Sequence, residues 1–305
     1  MIKVLANDKI DPQSAKELKE QGFDVNESHL DKEDLKKELK NYDAVIVRSA
    51  TKLTKDILST TVDDGKLKLI VRAGVGLDNI DKKFAEENNI AVKNTPSASI
   101  NAVAELTVAH ILALSRNLHQ SNVTMRDGKW LKKEYQGSEI EGKTLGIIGF
   151  GRMGQAAGKK AHALGMKVVY TKRSGPVEGF EDFQFLTKEE LLKTSDVITL
   201  HMPFNPEVGA VIGTAEFDLM KKGVLVINCA RGGVLSEDAL LNALDKGIVA
   251  GAALDVFEEE PLKTAKIMNH PKISLTPHIG ASTEEAQGRI GGEIVKILSS
   301  YFKEV

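Results

Sequence analysis

This sequence contains a single cysteine, no excess of basic residues and no long apolar run. The single cysteine, Cys229, cannot form an internal disulfide and has no Cys or His neighbour at metal-ligand spacing. We therefore expect Cys229 to pack in a core, and we predict no metal site. Lysine plus arginine total 41 and aspartate plus glutamate total 43, for a formal net charge of -2, with both signs interspersed. This balance predicts binding to neither nucleic acid nor a membrane surface.

The chain also lacks the segments that direct a protein into or across a membrane. No stretch approaches the length of a membrane span, and Met1 leads directly into the strand-like run Ile2–Leu5. We therefore expect a soluble globular protein of the cytoplasm. Its 305 residues, 42% of them hydrophobic, suffice for two domains that each have a core.

The strongest motif is a glycine-rich turn over residues 149–154, Gly-Phe-Gly-Arg-Met-Gly. Its neighbours are a predicted strand at Thr144–Ile148, a helix at Gln155–Leu164 and a second strand at Met166–Tyr170. Gly149 permits the tight turn, Gly151 the close approach of a pyrophosphate, and Gly154 the packing of the helix on the strand. A turn of this kind also occurs without a ligand, but the βαβ context favours a dinucleotide.

Strand-like and helical patterns alternate along the rest of the chain. The first part contains predicted strands at Ile2–Leu5, Ala44–Val47, Leu67–Val71 and Ile90–Val92, with predicted helices at Ser14–Gln21, Lys32–Leu39, Lys55–Thr60 and Asp81–Asn88. One unbroken helix is predicted from Ser99 to about Met125. The later part contains six predicted strands at Leu145–Ile148, Val168–Tyr170, Val197–Leu200, Val224–Ile227, Gly251–Leu254 and Ile273–Leu275, with a last helix over Thr283–Phe302. The alternation predicts an α/β protein with parallel sheets.

Polar residues follow three of the later strands. Arg231, the acidic stretch from Asp255 to Glu260, and His278 each come just after a strand end, where ligands of open parallel sheets bind. A guanidinium suits a carboxylate substrate, and a histidine oriented by a glutamate suits proton transfer. Each feature also has a non-functional interpretation when it is considered alone. Arg231 could form a surface ion pair, the acidic stretch could be a solvated loop, and His278 could be a non-catalytic histidine.

Several sequence blocks together resemble the NAD(P)-dependent D-2-hydroxyacid dehydrogenases over nearly the whole chain. The blocks are Val47–Thr54, Arg72–Asp81, Asn94–Pro96, Ala104–Thr107, Asp127–Trp130, the glycine-rich turn, Asn228–Gly233, Ala252–Phe257 with Glu260–Pro261, and Thr276–Thr283. The resemblance implies two doubly wound parallel-sheet domains, with a Rossmann cofactor domain (99–281) inserted into a flavodoxin-like substrate domain (1–98 and 282–305). Because the chain stops at Val305 soon after the last predicted helix, we expect no regulatory domain to follow. The resemblance further implies a homodimer in which Asp127–Gly137 crosses toward the partner and Lys132 reaches the partner's substrate.

The same resemblance assigns roles to individual residues. Arg231 would hold the carboxylate and keto oxygen of a small-molecule substrate, His278 would exchange the hydroxyl proton, and Glu260 would pair with His278. The residues implied against the cofactor are Gly149, Gly151, Arg152, Met153, Gly154, Met202, Pro203, Cys229, Ala230, Asp255, Gly280 and Ala281. The residues implied around the substrate are Arg48, Ser49, Arg72, Gly74 and Val75. Guanidinium groups suit a phosphorylated acid, although a sheet-edge ion pair is the alternative for Arg48.

The segment Thr171–Ser174 departs from the family pattern. An acidic residue usually follows the second strand of the cofactor domain, but this chain has Lys172 and Arg173 there. Two cations and no carboxylate favour NADP over NAD, and the sequence is compatible with either cofactor.

The leading hypothesis is an oxidoreductase that converts 3-phosphoglycerate to 3-phosphohydroxypyruvate, the first step of serine biosynthesis. Family members acting on phosphoglycerate often carry asparagine where this chain has Ser97–Ser99, so reduction of glyoxylate or hydroxypyruvate is the alternative. A third hypothesis, from a different class, is an NAD(P)-sensing binding protein without turnover. The intact set of Arg231, Glu260 and His278 argues against this last hypothesis.

Overall fold

The computed structural model describes residues 1–303 and divides into two compact units, Met1–Ser99 with the segment that begins at Ala281, and Ile100–Gly280. The strands are β1 (Lys3–Ala6), β2 (Asp24–Asn26), β3 (Ala44–Val47), β4 (Leu69–Arg72), β5 (Ala91–Asn94), β6 (Thr144–Ile148), β7 (Lys167–Thr171), β8 (Gln184–Phe185), β9 (Val197–Leu200), β10 (Val224–Asn228), β11 (Val249–Leu254) and β12 (Ile273–Leu275). The helices are α1 (Pro12–Glu20), α2 (Lys32–Glu38), α3 (Lys55–Leu58), α4 (Lys82–Glu87), α5 (Ile100–Ser115), α6 (Leu118–Arg126), α7 (Arg152–Ala163), α8 (Lys188–Thr194), α9 (Thr214–Leu219), α10 (Glu237–Asp245), α11 (Ala265–Met268) and α12 (Glu284–Lys303).

The first unit is built on a five-stranded sheet in the order β2-β1-β3-β4-β5, with every neighbouring pair parallel. This is the flavodoxin-like order. Because side chains alternate along a strand, Leu69 and Val71 of β4 pack in one apolar cluster and Ile70 packs in another on the opposite face. Both faces are covered, which explains why the strands appear as continuous apolar runs in the sequence.

The second unit is built on a seven-stranded parallel sheet in the order β12-β11-β10-β9-β6-β7-β8. Counted from β6, this is the Rossmann order 3-2-1-4-5-6 with one further strand. Ile147 and Ile148, adjacent on β6, belong to two different apolar clusters and mark the two faces of the sheet. The prediction of two doubly wound parallel sheets is confirmed.

Three details of the predicted secondary structure were wrong. The long helix from Ser99 is two helices, α5 and α6, because Asn117 between them adopts φ +52° and the Ser115 carbonyl accepts the Ser138 N–H at 2.8 Å. Asparagine tolerates this left-handed conformation better than most residues. The edge strands β2 and β8 were missed because three and two residues are too few to show a period.

The final helix, α12, returns the chain to the first unit. Ile290, Ile294 and Leu298, spaced four residues apart, pack into the apolar cluster formed around β1, β3 and β4. Within residues 1–303, none of the helices has both the length and the apolar character that a membrane crossing requires. Over the same residues, no cluster of three or more His, Cys, Asp or Glu side chains is arranged to hold a metal ion.

Candidate active site

The glycine-rich turn joins the end of β6 to the start of α7. Gly149 has φ +94°, in the left-handed region, and a Cβ there would lie 2.5 Å from the His201 carbonyl oxygen. A Cβ at Gly154 would lie 2.6 Å from the Gly149 carbonyl oxygen, whereas a Cβ at Gly151 would meet no atom within 4 Å. The turn is therefore packed against protein at Gly149 and Gly154 and open at Gly151.

This open space beside a helix N-terminus fits the pyrophosphate of a dinucleotide. Several helices here begin with a side-chain cap, such as Asp11 for α1 and Ser236 for α10, but the N-cap of α7 is Gly151, which has no side chain to cap it. The uncapped N–H groups and the positive end of the helix dipole favour an anion. Arg152, the exposed first residue of α7, adds a cation, and Met153 packs its side chain against the apolar cluster beneath.

Two more segments leave the sheet at the same edge as this turn. Ile148 of β6 is in register with Thr171 of β7 and with Leu200 of β9, so the three strands end side by side. The predicted cofactor residues that follow them are the half-buried Lys172 and exposed Arg173 after β7, and the half-buried Met202 and exposed Pro203 after β9. The structure thus gathers both groups around the carboxyl edge where the glycine-rich turn lies.

The residues after β9 include a half-buried histidine, His201, that the sequence prediction omitted. Its Nε2 lies 3.0 Å from Thr199 Oγ1, and its Nδ1 has no hydrogen-bond partner within residues 1–303. Burial lowers the pKa of His201 to about 4. The signal that would have identified it is its position just beyond a strand, the same signal that singled out Arg231.

The predicted catalytic residues lie beyond the other half of the same sheet. Asn228 of β10 is in register with Leu254 of β11, and Leu254 is in register with Leu275 of β12, so these strands also end together. The segments that follow them carry Arg231, Glu260 and His278.

Glu260 and His278 form a hydrogen-bonded pair. Oε2 of Glu260 lies 2.7 Å from Nδ1 of His278, and Oε1 accepts the Phe257 N–H at 3.1 Å. Burial alone would raise the pKa of the Glu260 carboxyl, but the hydrogen bond and charge of His278, the Phe257 N–H and the Arg231 guanidinium together outweigh it. The pKa of Glu260 therefore lies below its ordinary value, and the group is a carboxylate at neutral pH.

Arg231 lies in the turn after β10, next to the loop that carries Glu260. Its Nη1 donates to the Ala230 carbonyl at 2.6 Å, and its own carbonyl accepts from Asn228 Nδ2 at 3.0 Å. A side chain at position 232 in place of Gly232 would overlap the Phe257 carbonyl. The glycine therefore lets the turn of Arg231 pack directly on the loop that leads to Glu260.

Asp255 fixes the turn in which His278 lies. It is 1% exposed, and its Oδ1 accepts the Thr276 hydroxyl at 2.6 Å and the Ile279 N–H at 2.8 Å, while its Oδ2 accepts the Gly280 N–H at 2.9 Å. His278 itself has φ +53°, a conformation that costs a non-glycine residue about 1–3 kcal/mol. The bonds from Asp255 on both sides of His278 hold the backbone in this strained state.

Cys229 and Ala230 are buried at the start of the turn that carries Arg231, with 6% and 8% of their surface exposed. Burial, with a further contribution from the Asp255 charge, raises the pKa of the Cys229 thiol to about 12, and a hydrogen bond with Thr107 opposes the rise only in part. Cys229 is therefore an inert thiol in a core, as expected from the sequence.

The predicted substrate residues lie in the first unit, at the carboxyl ends of β3 and β4. Val47 and Arg72 are in register, so Arg48 and Arg72 leave neighbouring strands at one edge. Asp8 accepts the Arg48 N–H at 2.6 Å, and Arg72 Nη1 donates to the Ala73 carbonyl at 3.1 Å. The other predicted substrate residues in this unit are the exposed Ser49, the buried Gly74 and the half-buried Val75. Ala281, which was predicted to contact the cofactor, also falls in this unit, as the first residue of the returning segment.

Comparison with known proteins gives a consistent family assignment. Residues 108–280 match the family described as D-isomer specific 2-hydroxyacid dehydrogenase, NAD binding domain. D-3-phosphoglycerate dehydrogenase of Sus scrofa is 43% identical over 295 residues, which cover 96% of this chain but 55% of that protein. The chain thus spans about half the length of such relatives.

Two further proteins are matched over nearly their full length. Hydroxypyruvate reductase of Thermotoga maritima is 42% identical over 308 residues, covering 99% of this chain and 98% of that protein. The crystal structure of D-lactate dehydrogenase from Aquifex aeolicus, complexed with NAD and lactic acid, superposes with a TM-score of 0.85 at 30% identity, covering 99% of this chain and 96% of that one. On these grounds the chain belongs to the D-isomer specific 2-hydroxyacid dehydrogenases.

Proposed function

We propose that this chain transfers a hydride between a nicotinamide dinucleotide and a D-2-hydroxyacid, with 3-phosphoglycerate as the substrate. The observation that carries the proposal is the Glu260–His278 pair, at 2.7 Å, beside Arg231 on the same sheet edge as the open glycine-rich turn. The relatives named D-3-phosphoglycerate dehydrogenase, at 43% identity, support the choice of substrate.

The chemistry follows from the groups that the sheet edge presents. When bound, the nicotinamide ring supplies the hydride acceptor for oxidation. Since Nδ1 of His278 is taken up by Glu260, Nε2 is the ring nitrogen left to receive the hydroxyl proton. The Glu260 carboxylate stabilises the imidazolium that forms, and Arg231 binds the substrate carboxylate through its guanidinium.

In this proposal the predicted cofactor domain, residues 99–281, binds the dinucleotide, and the predicted substrate domain, residues 1–98 with 282–305, binds the substrate. Arg48 and Arg72 would hold the phosphate, because both follow neighbouring strands at one sheet edge. Losing one charge-assisted contact to a phosphate costs about 1.5–3 kcal/mol, or more than tenfold in KM. Arg48→Ala should therefore raise KM for 3-phosphoglycerate far more than KM for unphosphorylated glycerate.

The test of the reaction is a steady-state assay of 3-phosphoglycerate, glycerate, lactate and glyoxylate with NAD and NADP. His278→Ala should mainly lower kcat, because His278 transfers the proton. Arg231→Ala should lower kcat and also raise KM, because Arg231 binds the substrate carboxylate. Wild-type protein that binds the cofactor but turns over none of these substrates would instead support the NAD(P)-sensing hypothesis.

Hydroxypyruvate reduction is the second candidate, and a specific observation favours it. The Thermotoga maritima protein with that name is matched over 98% of its length, whereas the phosphoglycerate dehydrogenases are matched over about half. The same residues serve either reaction, since His278 would donate the proton in the reductive direction. A kcat/KM for hydroxypyruvate well above that for the phosphorylated substrates would decide for the reductase.

We further propose that NADP is accepted and preferred over NAD. Lys172 follows β7 directly and is half-buried, and Arg173 is exposed beside it, so two cations and no carboxylate stand where the adenosine ribose is expected. A 2′-phosphate gains charge-assisted contacts there. The measurement is kcat/KM with each cofactor, and a strong preference for NAD would refute this part of the proposal.

A homodimer through α6 and the segment after it is the last part of the proposal. Four large apolar side chains are exposed there: Leu118 (55%), Val123 (60%), Met125 (51%) and Trp130 (77%). A cluster of this kind is typical of an interface with a second protein surface. Light scattering after size exclusion should give twice the mass of 33.1 kDa, and Val123→Glu should lower it to that of the monomer.

A further inference from the structure

A cavity of about 370 Å³ lies at the edge of the second unit's sheet opposite the glycine-rich turn. Its lining includes the start of β9 at Val197, the start of β10 at Val224 and, on β11, Ala250 and Gly251. Since β6 has five residues and a strand rises about 3.3 Å per residue, the two edges are separated by about 13 Å. The cavity is therefore a separate place from the proposed dinucleotide site.

The cavity is strongly positive in a chain that is close to neutral. Four lysines line it, Lys143, Lys221, Lys222 and Lys272, against one carboxylate, Asp196. Asp196 is engaged, because its Oδ1 pairs with Lys221 Nζ at 2.6 Å and its Oδ2 accepts the Thr144 N–H at 2.9 Å. Lys143 and Lys222 form no ion pair with any residue in 1–303, and the exposed Lys272 has only the Leu244 carbonyl at 3.4 Å. Four lysines against one carboxylate thus leave an excess of three positive charges in the lining.

A hydrogen-bond donor without a partner lies in the same lining. Ser115 is 5% exposed, and its Oγ has no partner within the described residues. Because a buried hydroxyl without a partner is destabilising, this group at the cavity wall indicates a ligand that accepts its hydrogen bond.

The helix that begins at this cavity adds to the same field. Asn117, the N-cap of α6, lines the cavity with His119 and Gln120, and no side chain caps the helix. Its first N–H groups and dipole favour an anion. The carbonyl groups at the end of α5 would repel an anion, but the Ser115 carbonyl is already engaged by the Ser138 N–H at 2.8 Å, which reduces this repulsion.

We propose that this cavity is a binding site for a dianionic phosphate group, either the free ion or a small phosphate monoester. Lys143, Lys222 and Lys272 match its charge, and the hydroxyl of Ser115 donates to one of its oxygens. The volume lies within the range of small-molecule sites and exceeds that of phosphate alone, which leaves room for an organic substituent. The site is distinct from the proposed reaction centre and does not depend on it.

The test is calorimetric titration of the full chain with inorganic phosphate, glycerol 2-phosphate and malonate at one low ionic strength. Lys143→Gln should weaken phosphate binding by more than about tenfold, because a charge-assisted contact is lost. Lys246→Gln is the matched control, because Lys246 is an exposed lysine of the second unit that lines neither the cavity nor the proposed dinucleotide site, and it should leave binding unchanged. Phosphate binding that Lys143→Gln leaves unchanged would place the phosphate elsewhere and overturn the proposal.

Ser115→Ala gives a second, independent readout. Because the Ser115 hydroxyl has no partner in the chain, its removal should leave the unfolding midpoint in phosphate-free buffer unchanged or raised, while weakening phosphate binding several-fold. Stronger binding of malonate than of either phosphate compound would overturn the assignment to phosphate. Absence of binding in the native chain would mean that the cavity holds only water, and the proposal would fall. Tighter binding of glycerol 2-phosphate than of inorganic phosphate would identify the monoester as the ligand.

Discussion

Asp255→Asn should loosen the turn that carries His278 without unfolding the second unit. Asp255 is 1% exposed, so no water can replace a donor or acceptor that the substitution removes. If the asparagine oxygen takes the place of Oδ1, the bonds from Thr276 (2.6 Å) and Ile279 (2.8 Å) survive. The amide nitrogen then faces the Gly280 N–H, which had donated to Oδ2 at 2.9 Å, and two donors are left opposed.

The cost of this change can be bounded from the bonds that it breaks. At least one charge-assisted hydrogen bond is lost and one N–H is stranded, which amounts to about 1.5–3 kcal/mol. That loss is a sizeable fraction of the free energy of unfolding of a typical domain, which is about 5–15 kcal/mol. Because His278 has φ +53° and the lost bond lies two residues away, the turn should relax and kcat should fall with it.

Hydrogen exchange of two amides is the direct assay. The Ile279 and Gly280 N–H groups should exchange faster in Asp255→Asn, with the larger change at Gly280, and urea unfolding followed by far-UV circular dichroism should shift to lower midpoint. The sole tryptophan, Trp130, is 77% exposed and a poor reporter. Thr276→Val is the control, since it removes one neutral hydroxyl and keeps both amide bonds. Unchanged exchange at Gly280 together with native kcat would refute the reasoning.

Three further predictions concern the edge of the same sheet. Glu260→Gln removes the carboxylate that stabilises the imidazolium of His278, so the acidic limb of the oxidative pH-rate profile should move toward acid. An unmoved limb with an intact fold would exclude the pairing. Lys172→Asp should shift kcat/KM from NADP toward NAD, and an unaltered ratio would show that this lysine does not contact the 2′ position. Burial lowers the pKa of His201 to about 4, below its ordinary 6.5. The free energy of unfolding should therefore fall by about 3 kcal/mol as pH drops from about 6.5 to 4, because the unfolded chain binds the proton more tightly. Urea titrations should show this fall in the native chain and not in His201→Gln.

Local pattern was sufficient for elements whose period extends over several residues. The buried strand β3, Ala44–Val47, has the same bounds in the prediction and in the structure, because four consecutive apolar residues between polar neighbours are typical of a strand covered on both faces. The break at Asn117 was not predictable from periodicity, since α5 and α6 both follow a helical pattern and only the backbone of one residue changes sign. The short edge strands β2 and β8 owe their state to pairing with a neighbour, which the sequence does not display.

The sequence by itself determined the order of the ten predicted strands, the glycine-rich turn, and the strand-end positions of Arg231, Glu260 and His278, because each depends on a short stretch of chain. Only the tertiary structure decided which oxygen of Asp255 accepts which donor, that burial lowers the pKa of His201, and that lysines from three separate segments line one cavity. Those features arise where crossovers bring residues far apart in the chain to one sheet edge. Their energies depend on distance and burial, and neither quantity is a property of the local sequence.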